Sequence, residues 1–227
     1  MKNINDITQG KTFRNWLYEF FMDLVVDVFD MLAFLVFITW LIFTIRFYVF
    51  NPFTVIGQSM EPNFHEWDFI IIDKITHKYW QLHRWDIIVF VPPGKKDPLI
   101  KRIVWLPWET VKILNNKVNI CNWSWIDCKE LDESYLWTWI DTIPSCSWIP
   151  ITDPTYKVEW WYFVMWDHRW HTTDSMCCFW LWCYDWSNYV APDNYIIGKV
   201  YVRLFPKFHN FNCWTRTWSN CYTLSTK

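Results

Sequence analysis

Fifteen consecutive residues without a charge, "MLAFLVFITWLIFTI" (31–45), constrain this chain more than any other stretch. Extended through Arg46 and "FYVF", the run covers residues 31–50, and as a helix it would be about 30 Å long, the depth of a bilayer core. Arg46 lies near the end, where its guanidinium can snorkel to the interface. A buried core helix is the alternative. A cleaved leader fits worse, because the polar residues before the run are too many and no small-residue cleavage site follows. We therefore expect a cytoplasmic segment over 1–28, an uncleaved transmembrane helix over 29–50, and the remaining chain outside. Lys2, Lys11 and Arg14 precede the span and favour a cytoplasmic N-terminus.

Beyond Pro52 the pattern changes to short apolar or alternating runs bounded by turn residues. These are "DFIIIDKI" (68–75), "DIIVFV" (86–91), "LIKRIVWL" (99–106), "TVKILNNKV" (110–118), "YFVM" (162–165) and "YIIGKVYVRLF" (195–205). They predict strands, with a hairpin turn inside "ILNNKV". The fold class expected is mostly β: a transmembrane helix, then an antiparallel β domain over 51–206. Residues 119–160 form a less regular insertion, and 207–227 a polar tail. A net charge of −2 gives no reason to expect a nucleic-acid partner. All eight cysteines lie in the C-terminal half, with no C-x-x-C pair. Cys121 with Cys128, and Cys213 with Cys221, could each close a short loop in an oxidising space; buried free thiols are the other reading.

Ser59 in "GQSMEPNF" and Lys101 in a strand-like run are chemically suggestive only together. A serine hydroxyl needs a base, and lysine serves if burial among groups such as Ile100, Ile103 and Val104 keeps it neutral. Five blocks in order, "GQSMEPNFHEWDFIIIDKI", "RWDIIVF", "IKRIVWLPWETV", "VEWWYFVMWDHR" and "YIIGKVYVRLFP", resemble the type I signal peptidases over about residues 52–206. That family's blocks read roughly G-x-S-M-x-P-T-L-x-x-G-D, R-G-D-I-V-V-F, K-R-V-V-G-L-P-G-D, E-G-x-Y-F-V-M-G-D-N-R and I-V-G-K.

The resemblance implies a membrane-bound serine endopeptidase, Ser59 its nucleophile and Lys101 its general base, that removes N-terminal signal peptides from exported preproteins. It implies that Thr172, Asp174 and Ser175 support the dyad, although Met176 replaces an arginine, and His168 and His171 replace asparagines. Val55, Met60, Phe64 and Ile100 correspond to a small apolar pocket for small side chains at positions −1 and −3 of the substrate; core packing is the plainer reading. One oxyanion donor would be the Ser59 N–H. Where some members place a second, hydroxyl donor, this chain has Gly57. No cofactor and no metal is implied. The spacing of His168, His171, Asp174 and Cys177 permits a metal site as a lesser alternative. The expected setting is a monomer on the lipid bilayer of the plasma membrane, crossing it once, with the catalytic domain on the extracytoplasmic face. Two other readings remain: a self-cleaving repressor type, which would call for a DNA-binding domain in place of the span, and a catalytically inactive, membrane-anchored β domain that binds peptides.

Laid on those blocks, Trp67, Trp85, Trp105, Trp108, Trp160 and Trp166 all stand where the family has glycine. The chain holds 21 tryptophans and 4 glycines, when an average chain of this length carries about 16 glycines. One cause would explain both numbers: UGA codons that the source organism reads as glycine, written here as tryptophan.

Overall fold

The computed structural model describes residues 4–92, 94–122, 127–143, 145–146, 149–151, 155–158, 160–169, 174–180 and 190–211. It divides into two compact units, Met1–Tyr48 and Val49–Lys227. The first is one helix, α1 (Ile4–Tyr48). Its stretch Phe13–Tyr48 is long and apolar enough to cross a bilayer. The helix begins well before the expected span. Asp23 and Asp27 do not interrupt it: no proline or glycine occurs between Lys11 and Asn51, and an exposed carboxylate costs a helix little while a proline would break it.

The second unit is mostly β. Its elements are β1 (Phe50–Thr54), β2 (Phe69–Asp73), α2 (Thr76–Tyr79), β3 (Ile87–Phe90), β4 (Leu99–Trp105), β5 (Glu109–Leu114) and β6 (Lys117–Cys121). There follow β7 (Cys128–Glu130), β8 (Ser145–Cys146), β9 (Ile149–Pro150), β10 (Thr155–Val158), β11 (Phe163–Met165), β12 (Ile196–Phe205) and β13 (His209–Asn210). Among the described residues the larger sheet runs β1-β2-β12-β3-β4-β11, with β13 on β12, and a second runs β10-β5-β6-β7. All pairings in both are antiparallel. β1 holds Pro52, which has no N–H to give to a ladder, and its place at the edge of the sheet accommodates this.

The six runs read as strands are all strands. The hairpin joins β5 to β6 through Asn115 and Asn116, with φ of 51° and 60°, as a two-residue turn with both central residues left-handed requires. The insertion is not structureless: it supplies β7, β8, β9 and β10, and Cys121 is bonded to Cys128 across the β6–β7 pair. Cys213 and Cys221 lie outside the described residues.

Candidate active site

Ser59 projects from the turn between β1 and β2. Gly57 opens that turn at φ 90°, in the left-handed region where a side chain would be strained. Met60 fixes it from below, fully buried, and its carbonyl accepts the N–H groups of Asn63 (2.9 Å) and Phe64 (2.8 Å). Ser59 between them stays half-buried and reachable.

Lys101 sits in the third position of β4, whose residues from Lys101 to Trp105 are all buried. Its side chain is 1% exposed, and Nζ donates to the Ile100 carbonyl at 2.7 Å. Burial drives its pKa from 10.5 down to about 7; the Asp174 carboxylate opposes that fall, Lys95 adds to it and Asp167 opposes it. An amine at about 7 is substantially neutral at neutral pH and can accept a proton.

One cleft of about 790 Å³ is lined by both residues, together with Val55, Ile70, Val89, Ile100, Trp166 and His168. Of the four residues expected in a substrate pocket, Val55 and Ile100 line the cleft. Met60 and Phe64 are wholly buried and pack beneath it in one cluster with Val55, Ile70 and Val89.

Asp174 and Ser175 are also buried, and both are engaged with backbone. The Asp174 carboxylate accepts N–H groups from Met176 (3.0 Å) and Trp166 (3.3 Å), and Ser175 Oγ accepts the Val164 N–H at 2.9 Å. Burial raises the Asp174 pKa, against the Trp166 hydrogen bond and the Arg169 charge. Thr172 and His171 lie outside the described residues. Among the described residues no three metal-ligating side chains converge, and Asp174 is already committed to its backbone donors.

Asp167 joins the parts of the site, a role sequence reading did not assign. It receives Arg102 in a two-pronged pair (Nε–Oδ1 2.8 Å, Nη2–Oδ2 2.7 Å), both side chains fully buried. Asn63 Nδ2 reaches the same carboxylate at 2.8 Å, and the next residue's N–H, from His168, bonds the Ser59 carbonyl at 3.0 Å. Asp167 thus holds the Ser59 turn against the residue that follows Lys101. Arg169, also buried, bonds the Trp166 carbonyl (2.6 Å), Thr142 Oγ1 (2.9 Å), Tyr135 OH (2.9 Å) and Glu133. The insertion therefore buttresses the site. The available signal was position: Arg102 follows Lys101 in "IKRIV", while Asp167 and Arg169 stand in "WDHR".

The sequence model described as "Signal peptidase, peptidase S26" matches residues 28–205. The chain belongs to the peptidase S26 signal peptidases. Membership makes it a serine endopeptidase of signal peptide processing. Signal peptidase I U of Bacillus subtilis (strain 168) is 31% identical over 141 residues, 60% of this chain and 70% of that protein. Signal peptidase I of Leptolyngbya laminosa is 31% identical over 170 residues, 71% of this chain and 72% of that one. Signal peptidase I V of Bacillus subtilis (strain 168) is 34% identical over 88 residues, and the match spans 48% of its length.

Proposed function

We propose that this signal peptidase cleaves exported preproteins by attack of Ser59 Oγ on the scissile carbonyl, with Lys101 as general base. The neutral Lys101 amine takes the hydroxyl proton as the Oγ–C bond forms. The resulting ammonium gives that proton to the departing amine as the peptide C–N bond breaks. A water then loses its proton to the same amine and attacks the acyl-enzyme ester, and Ser59 Oγ leaves with the proton. The Ser59 N–H donates to the developing oxyanion.

The carrying observation is a buried lysine with pKa about 7 that shares one cleft with a serine. That poise also argues against the inactive peptide-binding reading, which has no use for it. An extended substrate laid along the cleft would meet Val55 and Ile100, whose apolar surfaces suit small side chains at −1 and −3. Asp174 and Ser175 shape the loop beside the dyad, and Thr172 is assigned to the same support by the family resemblance alone. α1 anchors the enzyme in the plasma membrane as a monomer with the β domain extracytoplasmic.

Cleavage of a purified preprotein by the full-length chain in detergent tests the assignment. Ser59→Ala and Lys101→Ala should each abolish product while leaving the folded β domain intact by circular dichroism. Undiminished cleavage by either variant would refute it. Protease accessibility of the β domain in sealed vesicles, right side out and inverted, tests its orientation.

A further inference from the structure

Three four-residue turns, His65–Asp68, His83–Asp86 and Leu106–Glu109, are built alike. In each, the first residue's backbone N–H bonds the carboxylate of the fourth: His65 to Asp68 at 3.0 Å, His83 to Asp86 at 2.9 Å, Leu106 to Glu109 at 3.0 Å. In the first two, the fourth residue's N–H returns to the first residue's carbonyl at 3.1 Å. In all three the third residue is tryptophan, with φ of 72°, 74° and 71°. A positive φ at the third position is the mark of a type II turn, which calls for glycine there and often takes proline at the second. Pro107 occupies that second position in "LPWE".

At two of these turns the indole is largely solvent-facing, Trp67 and Trp108 being 70% and 53% exposed. Among the described residues the other positive-φ positions with side chains are Asn115 and Asn116 in the hairpin and Phe179 in the 3-10 segment Ser175–Trp180. Asparagine tolerates this region; an indole does not. Two further tryptophans conflict with their surroundings in another way. The indole N–H groups of Trp105 and Trp166 are buried, and no acceptor among the described residues reaches them, whereas a buried indole N–H normally finds one. Trp160 is exposed and packed edge-on against Trp108.

We infer that residues 67, 85, 105, 108 and 166 are encoded by UGA and inserted as glycine in the cell that makes this protein, so that the working enzyme is the glycine form. Rare glycine and abundant tryptophan, repeated turn geometry and orphaned indoles then share one origin. Position 166 gives the inference a functional side, which rests on the role proposed for Lys101. The Trp166 ring lies 4.8 Å from Lys101 Nζ and lines the cleft. A π face at that distance favours the ammonium over the amine, the protonation state a general base must not hold. Glycine removes that contact.

The test has three parts. Peptides from the enzyme isolated from its own cells should show the mass of glycine at 67, 85 and 108. Tryptophan there, or UGG in the gene, would overturn the inference. Full-length chains made with Trp67→Gly, Trp85→Gly or Trp108→Gly should melt at higher temperature than the chain as written, and a lower midpoint for all three would equally overturn it. Finally, Trp166→Gly should raise kcat and move the acidic limb of its pH profile to lower pH. Unchanged kinetics beside glycine in the native peptides would leave the decoding standing and overturn only the effect assigned to the Trp166 ring, while failure of the Lys101 role is read from Lys101→Ala, so the two failures are separable.

Discussion

Replacing Lys101 with methionine should destroy activity and stabilise the protein. Methionine is close to lysine in length and can fill the same buried slot in β4 without an amine to desolvate. The magnitude follows from the pKa. In the unfolded chain lysine titrates near 10.5 and in the folded one near 7. Between those values the unfolded state binds a proton that the folded state refuses, so stability falls as pH drops through that window. Below about 7 both states are protonated and the cost levels off. Some 3.5 pH units at about 1.36 kcal/mol each, less the half-protonation of the folded state at its own pKa, give a cost of about 4 kcal/mol at pH 7, and only about 2 kcal/mol at pH 9. The Lys101→Met chain should therefore exceed the parent by a margin that narrows by about 2 kcal/mol from pH 7 to pH 9. At about 2–4 °C per kcal/mol for a domain of this size, the gap in melting temperature should shrink by roughly 4–8 °C. Differential scanning calorimetry of the two detergent-solubilised proteins at both pH values reads this directly. A constant gap would mean that Lys101 keeps an ordinary pKa, and the reasoning about its burial would be wrong.

Three further outcomes are expected. The kcat of preprotein cleavage should rise as pH increases through about 7, because the neutral Lys101 amine is the active form, and a stopped assay across pH 5–9 checks it. Arg102→Met leaves the Asp167 carboxylate buried without its cation and should cost about 3–5 kcal/mol in a urea titration, with cleavage lost alongside. Gly198→Ala places a Cβ 2.5 Å from the Asp73 carbonyl oxygen, a backbone atom that cannot step aside; the β2–β12 ladder should weaken by about 1–3 kcal/mol, read as a lowered melting temperature.

Strands were legible where periodicity was local. "DIIVFV" and "LIKRIVWL" are apolar runs of strand length with turn residues at their ends, and both form central strands of the larger sheet. "NN" fixed the hairpin because few residues accept two successive positive φ values. β1 escaped notice because Pro52 argues against a strand until the strand is known to be an edge. α1 runs on ahead of the expected span because the polar residues before it, Asp23 and Asp27 among them, mark a change of polarity and not a change of backbone. Ser59 and Lys101 were singled out through ordered blocks, but Asp167 was not given its role, since its partners Asn63 and Arg102 stand 104 and 65 residues away. Pairing at that range leaves no periodic trace. Met60 and Phe64 show the same limit in reverse: apolar type places a side chain inside, and only packing says whether it lines a cavity or supports one.

Chain order gives the Asp167 junction a temporal meaning. Ser59 and Lys101 emerge from the ribosome long before the "WDHR" segment that clamps them together, and Arg169 cannot close the back of the site until residues 133–142 are also in place. The Asp167 and His168 contacts that tie the Ser59 turn to β4 therefore form only after every strand from β1 to β11 has been made.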